Sequence, residues 1–345
     1  MCASSWARHE RSDGCPAGPA VTDKATMDGA HHPCASVLEY IGDTPLVELR
    51  HLDLKPGVRM FAKLEGHNPT GSVKDRVVRR MLLVAHRQGR IQPGSTIVEA
   101  TTGNTGIALA MIGRQLGYQV KVVVPENVFP EIGRLLQVYG AEIIWVPAEQ
   151  GIKRAMDLAR ELAREHGWLI LDQFANEENS RAHYEGTGPE ILADLPRVDI
   201  FVAGLGTGGT IMGTGRRLKE ANAATKVVAV EPHPGSQVQG LRSLDDGYIP
   251  PILDLHMLDG KVLVRSRHAF EHAYQLICRE GIFGGISAGA VLHAAIKFAR
   301  RIERGTIVCL FADAGWKYLG TSIWKAPHEP AVLHEDDGMD DVIWW

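Results

Sequence analysis

An α/β fold, with two three-layer units built on largely parallel twisted sheets, is predicted by three observations. From about residue 95, short β-branched runs alternate with helical stretches, and the strands are apolar on both faces. A second series of the same kind begins near residue 198. Strands that are apolar on both sides belong to a parallel sheet covered by helices on both faces.

In the first series, "STIVEA" reads as a strand, "TTGNTG" as a turn and "IALAMIGRQLG" as a helix. "YQVKVVVPE" and "AEIIWVP" are strands on either side of the helix "EIGRLLQVYG", and the periodic helix "KRAMDLARELAREHG" leads to the strand "WLILDQF". In the second, "VDIFVAGLG" runs into "GTGGT" and the helix "IMGTGRRLKEAN", then the strand "KVVAVEP". The helices "AFEHAYQLICREG" and "SAGAVLHAAIKFARRIE" precede a last strand, "GTIVCLFADAG". Ligands of such sheets bind at the carboxyl ends of the strands, so "TTGNTG", "DQFAN", "GLGTGGT" and "ADAG" are the loops to inspect.

Bulk composition narrows the function. The 345 residues carry 37 basic and 41 acidic side chains, a formal net charge of -4, which predicts no broad basic field for nucleic acid. No apolar run reaches the roughly 18 residues that span a bilayer, so no membrane partner is expected. Five cysteines without a C-x-x-C pair favour reduced thiols and a cytoplasmic location over a disulfide framework or zinc. Residues 1–35, polar and rich in Gly, Pro and Ala, read as a disordered leader, with Met1 and Met27 both open as the start. The "HHPC" at its end is weak evidence for a metal, and none is assigned.

Three loops carry chemistry. "GLGTGGT" follows a strand and opens a helix, so glycines let backbone N–H groups converge on a phosphate at the helix N-terminus. Gly204, Gly206 and Gly209 also satisfy G-x-G-x-x-G, and Glu231 closes the next strand, which keeps a nicotinamide oxidoreductase open as a reading from another class. Thr207 and Thr210 suit a terminal phosphate better than a diphosphate. In "EATTGNTG", Thr101, Thr102, Asn104 and Thr105 crowd donors around a helix start, more than one cap needs, as a carboxylate site would. In "NPTGSVKDR", Lys74 stands at a helix mouth, where the dipole disfavours a cation. A lysine of lowered pKa beside a phosphate loop and a carboxylate loop suits Schiff-base chemistry with pyridoxal 5'-phosphate and an amino acid.

The stretches "KLEGHNPTGSVKDR", "VEATTGNTGIALAM", "GLGTGGTIMGTGR" and "GIFGGISAGAVLHAA" together resemble the cysteine synthase family of the tryptophan-synthase-β fold, over about residues 36–323. "GTGPEILADLP", "GLRSLDDGYIP" and "ADAGWKYL" are similar to its O-phosphoserine-using, cysteine synthase B branch. The resemblance implies fold type II, with the cofactor in a cleft between a smaller domain at 67–181 and a larger one formed by 36–66 and 182–330; 331–345 is an acidic tail. It implies that Lys74 is the Schiff-base lysine and the base at Cα, and that Asn104 meets the ring hydroxyl. Gly206, Thr207, Gly208, Gly209 and Thr210 would hold the phosphate, and Ser287 the pyridine nitrogen. Thr101, Thr102, Thr105 and Gln173 would hold the substrate carboxylate, and Arg242 a substrate phosphate.

The implied reaction is β-replacement on an activated L-serine, O-phospho-L-serine first, through an aminoacrylate. The product is L-cysteine, from sulfide or from the thiocarboxylate of a small sulfur-carrier protein, and the enzyme is a homodimer. O-acetylserine as donor, or a diaminopropionate-type product of a specialised pathway, are the sister readings. Departures bear on the substrates: "VVRR" after "SVKDR", "PENVFPEIGR" without the branch's Ser/Thr and paired arginines, Asn176-Glu177 for Asn-Pro, and Gly284 where thiosulfate-using relatives carry cysteine. The final "VIWW" stands where the branch has a tail that enters the site, and disorder is the competing expectation.

Overall fold

The computed structural model describes residues 34–320, Trp324 and the backbone of Val342–Trp344. The "HHP" of the leader and most of the acidic tail lie outside the described residues. In chain order the elements are β1 (Leu46–Glu48), β2 (Gly57–Leu64), α1 (Lys74–Arg87), β3 (Thr96–Ala100), α2 (Asn104–Gln115), β4 (Gln119–Pro125) and α3 (Pro130–Val138). There follow β5 (Glu142–Val146), α4 (Gly151–His166), β6 (Leu169–Ile170), α5 (Glu178–Ala182), α6 (Gly188–Asp194), β7 (Ile200–Gly204) and α7 (Gly209–Ala221). The last are β8 (Lys226–Pro232), β9 (Gly260–Val264), α8 (Ser266–Glu280), α9 (Ile286–Arg301), β10 (Arg304–Phe311) and β11 (Val342–Trp344).

Two sheets result. One has the order β5-β4-β3-β6, all parallel. The other runs β1-β2-β10-β7-β8-β9-β11, parallel except for the antiparallel β1 and β11 at its edges. Strand alternation explains why both are covered twice. Ile97, Val120, Val122 and Val124 pack with α1, α2 and α3, whereas Val98, Ala100 and Val123 face the alanine stripe Ala155, Ala159 and Ala163 of α4. In the larger sheet Val202 joins the core under α8 and α9, and its neighbours Phe201 and Ala203 join the one under α6 and α7.

Where α7 crosses α5 the contact needs a glycine, since a Cβ at Gly213 would lie 2.0 Å from the Ser180 carbonyl oxygen. The backbone of Val342–Trp344 runs along the outer side of β9, with Trp344 opposite Gly260, so it heads away from the strands' carboxyl ends. It pairs an edge that β9 would otherwise expose. The structure thus gives these residues a third place, neither in the site nor unstructured.

Between α8 and α9 three imidazoles meet, one pair stacked and the other edge to face. His268 lies 4.6 Å from His293, and His272 lies 4.7 Å from His293 and shares a 2.9 Å hydrogen bond with the His268 carbonyl. Burial, then the neighbouring His293, lowers the His272 pKa to about 3. The unfolded chain therefore takes up a proton that the folded one refuses, and stability falls as pH drops below the unfolded value of 6.5 towards about 3. This one residue is expected to cost about 1 kcal/mol between pH 6.5 and 5.5. Urea unfolding at the two pH values, compared with His272→Leu, measures it; an equal slope in the variant refutes it.

Candidate active site

The loops that follow β3, β6, β7 and β10 all leave the carboxyl ends of their strands, and each brings residues singled out in the sequence. Lys74 is the first residue of α1. The preceding turn is fixed from inside: Asp75 accepts a 2.7 Å hydrogen bond from the Thr70 N–H and another from the Thr70 hydroxyl. Val73 N–H donates to the Ala312 carbonyl at 2.8 Å, which ties the turn to the end of β10. Part of the Lys74 surface stays open, yet burial lowers its pKa to about 8, against a smaller upward pull from Asp313. The sequence expectation of a lysine with weakened hold on its proton is met, with desolvation as the main cause.

The loop after β3 is shaped by Thr101, whose buried hydroxyl oxygen accepts the N–H groups of Gly103 (3.0 Å) and Gly106 (3.3 Å). Gly103 sits at φ 158°, with Ile132 close against the place of a Cβ. The N–H groups of Thr102, Asn104 and Thr105 find no acceptor among the described residues. A helix start with several unpaired N–H groups is an anion cradle. Thr102 is exposed beside it, and Thr105 donates its hydroxyl to Gln173 Oε1 at 2.7 Å. The Gln173 Nε2 then donates at 3.4 Å to the Ala100 carbonyl.

Gln173 owes its place to Glu99, which sequence reasoning passed over. Buried at the end of β3, its carboxylate accepts the N–H groups of Leu171 (3.0 Å), Asp172 (3.1 Å) and Gln173 (3.4 Å). Asp172 is held at φ 49°, a left-handed value unusual for a residue with a side chain. Burial raises the Glu99 pKa to about 7 against these three bonds. An acid between Val98 and Ala100 on an apolar strand was the available signal.

In the glycine loop, Gly208 lies at φ 89° and α7 starts at Gly209. The N–H groups of Gly206, Thr207, Gly208 and Thr210 have no acceptor among the described residues. Asn179 of α5 braces the loop, donating to Thr207 Oγ1 at 2.9 Å and to the Gln173 carbonyl at 2.7 Å. A Cβ at Gly209 would fall 2.0 Å from Asn179 Oδ1, so that position requires glycine. Thr210 shares a 3.2 Å hydrogen bond with His183 Nε2. Burial, then the charges of Arg76 and Lys74, hold His183 well below its usual pKa and so neutral.

Glu231 does not face a ligand. It accepts the Leu244 N–H at 2.9 Å and lies 3.6 Å from the Lys261 ammonium, inside the fold. The acid that suggested a ribose partner is spent on holding the loop after β8, which removes the support for a nicotinamide reading.

Two residues remain. Ser287 is buried in the first turn of α9, after Gly285. The Arg242 guanidinium stacks 5.1 Å from the Phe174 ring and 5.3 Å from the Tyr248 ring, and its buried Nη1 has no hydrogen-bond partner among the described residues. Phe174 adjoins Gln173, so this cation stands beside the loop that carries Gln173.

A phosphate-bearing aldehyde fits this set: unpaired N–H groups in the glycine loop for its phosphate, and the depressed amine of Lys74 for its carbonyl. The model for "Pyridoxal-phosphate dependent enzyme" matches residues 37–313. Cysteine synthase B of Escherichia coli (strain K12) is 40% identical over 289 residues, covering 84% of this chain and 95% of the relative. The crystal structure of cysteine synthase from Entamoeba histolytica superposes with a TM-score of 0.83 at 33% identity, covering 89% of this chain and 96% of that one. That of O-ureido-L-serine synthase gives 0.81 at 35% identity, covering 89% and 98%. A match over residues 37–313, which hold every site loop described above, leaves one assignment: the chain is a member of the pyridoxal-phosphate dependent enzyme family.

Proposed function

We propose that the protein catalyses β-replacement on an activated L-serine, with O-phospho-L-serine as the preferred donor, to give L-cysteine from sulfide or a sulfur-carrier thiocarboxylate. The observation that carries the donor assignment is Arg242, whose buried Nη1 is unpaired among the described residues while two aromatic rings fix its plane. An unpaired buried guanidinium donor is costly unless an anion completes it, and a phosphate ester does so with two parallel bonds. Pyridoxal phosphate, when bound, draws electrons from Cα of the amino acid joined to it.

The chain's own groups do the rest. The amine of Lys74 takes the Cα proton. The N–H groups at the start of α2, with Thr102, Thr105 and Gln173, hold the carboxylate; Thr101 shapes that loop. Arg242 neutralises the departing phosphate, the glycine loop from Gly206 to Thr210 holds the cofactor's phosphate, Asn104 meets its ring hydroxyl and Ser287 its nitrogen. A neutral serine hydroxyl leaves that nitrogen unprotonated, which favours loss of a β-substituent over transamination. The smaller domain would then be 67–181, the active form a homodimer and the location cytoplasmic.

The donor is tested by mixing holoenzyme separately with O-phosphoserine, O-acetylserine and serine and following the cofactor's absorbance. O-phosphoserine is expected to react with the highest kcat/KM, and Arg242→Ala to lower that value by about 30-fold or more, the cost of losing a charged hydrogen-bond pair. O-acetylserine turnover should change little in the same variant. Equal use of the two esters by the wild type, or a preference that survives Arg242→Ala, rejects phosphoserine and leaves the acetyl ester as donor.

A further inference from the structure

One buried cation beside the cleft has no place in the chemistry above. Lys317 lies in the short 3-10 turn Gly315–Tyr318 after β10 and is wholly inaccessible. Its ammonium donates to Asn104 Oδ1 at 2.6 Å. On the other side of the same amide, Asn104 Nδ2 donates to Asp313 Oδ2 at 2.7 Å, and the Tyr318 hydroxyl donates to that same carboxylate oxygen. Asp75 and Asp313 are the carboxylates whose charges act on Lys317, so its burial is compensated from two loops.

An asparagine amide has one carbonyl oxygen and two N–H donors. Here the carbonyl is consumed by a cation and one N–H by an anion. The flipped amide would set its N–H groups against the ammonium and its oxygen against the carboxylate, two repulsive contacts in a site shielded from water. The orientation is therefore fixed by charge: one N–H is committed to Asp313, and the Tyr318 hydroxyl, itself on Asp313, also lies within hydrogen-bond reach of the amide nitrogen.

We propose that Lys317 is a positioning residue: with Asp313 it locks the Asn104 amide so that its remaining N–H is presented to the cofactor's ring hydroxyl. The inference rests on the reading that Asn104 faces that hydroxyl. The lock joins the start of α2 to the turn after β10, with Asp75 in the first turn of α1 acting on Lys317 through its charge.

The test reconstitutes the full-length protein with pyridoxal phosphate or with its 3-deoxy analogue, which lacks the ring hydroxyl, and measures each affinity. Asn104→Ala and Lys317→Met are each expected to weaken pyridoxal phosphate binding about tenfold, the loss of one hydrogen bond to a charged group, and to leave the analogue unchanged. The double variant should bind no more weakly than Asn104→Ala alone. If Lys317→Met weakens both cofactors alike, or the double variant is additive, Lys317 does not act through Asn104 and the inference fails while the role of Asn104 stands. If Asn104→Ala itself does not distinguish the two cofactors, the reading of Asn104 falls and the inference with it. Should Lys317→Met not fold, Lys317→Gln, whose amide stops one bond short of Asn104, is read by the same criteria.

Discussion

Lys74→Ala is expected to lower turnover of an activated serine by about 10³-fold or more, since proton transfer by a positioned group contributes about 10²–10⁴-fold. An ordinary lysine is a poor base near neutrality because almost all of it is protonated. Burial brings the Lys74 pKa down to about 8, so about a tenth of its amine is free at pH 7. Below pH 8 a step that needs the free amine should therefore speed up as pH rises, and level off above it. The variant should keep its fold, because Lys74 makes no side-chain hydrogen bond or ion pair among the described residues. Three measurements check this: kcat against pH, the unfolding midpoint, and borohydride reduction, which should fix the cofactor's mass on Lys74 in the wild type alone. Undiminished turnover by Lys74→Ala would remove the lysine from the chemistry.

How far the sequence carried depends on whether a residue's partner is near it in the chain. The strands from Thr96 to Val146 and the helices between them follow from local pattern, because β3 and β4 bury two apolar faces and the edge strand β5 keeps an apolar run although Trp145 is exposed. By contrast β2 was not read as a strand. Its "GVRMFAKL" is interrupted by Arg59 and Lys63, and the buried Lys63 is met by the Thr44 carbonyl at 2.6 Å and by Glu190, far along the chain, at 2.8 Å. The all-buried β9 escaped for the same reason, with Lys261 paired to Glu231.

The site divides likewise. Lys74, the glycine loop and "TTGNTG" are legible because their chemistry is written in consecutive residues. Glu99, Asn179 and Lys317 act on loops more than 25 positions away, so nothing beside them in the chain names what they hold, and only Glu99, an acid on an apolar strand, stands out. Glu231 is the converse case, at a motif's spacing but turned inward by a lysine that the motif does not include.

Arg76→Ala is expected to destabilise the protein by about 3–5 kcal/mol, the cost of breaking a buried ion pair from one side. Two residues after Lys74, the Arg76 guanidinium reaches Glu65 through Nε at 2.7 Å and Nη2 at 2.9 Å. It also reaches Glu190 through Nη1 at 2.6 Å and Nη2 at 2.7 Å, and the Thr44 hydroxyl at 3.1 Å. Glu65 is wholly buried, so without Arg76 its carboxylate keeps the desolvation cost and loses its nearest cation.

The pH signature separates this from a loss of packing. Burial alone would raise the Glu190 pKa, but the Arg76 hydrogen bonds and charge, with Lys63, bring it to about 2. A carboxylate held below its unfolded value of 4.5 adds stability that is full above that value and is lost as pH falls towards about 2. The wild type should thus weaken between pH 4.5 and 2 through this group, and Arg76→Ala should show a shallower decline there because that contribution is already gone. Denaturant unfolding of both proteins across this range is the measurement. A loss below about 1 kcal/mol at pH 7 would place Arg76 with ordinary surface pairs. Since this side chain ties α1 to the turn after β2 and to α6, a drop in kcat should accompany the loss of stability, and Arg76→Lys, with a single ammonium for two carboxylates, should recover only part of either.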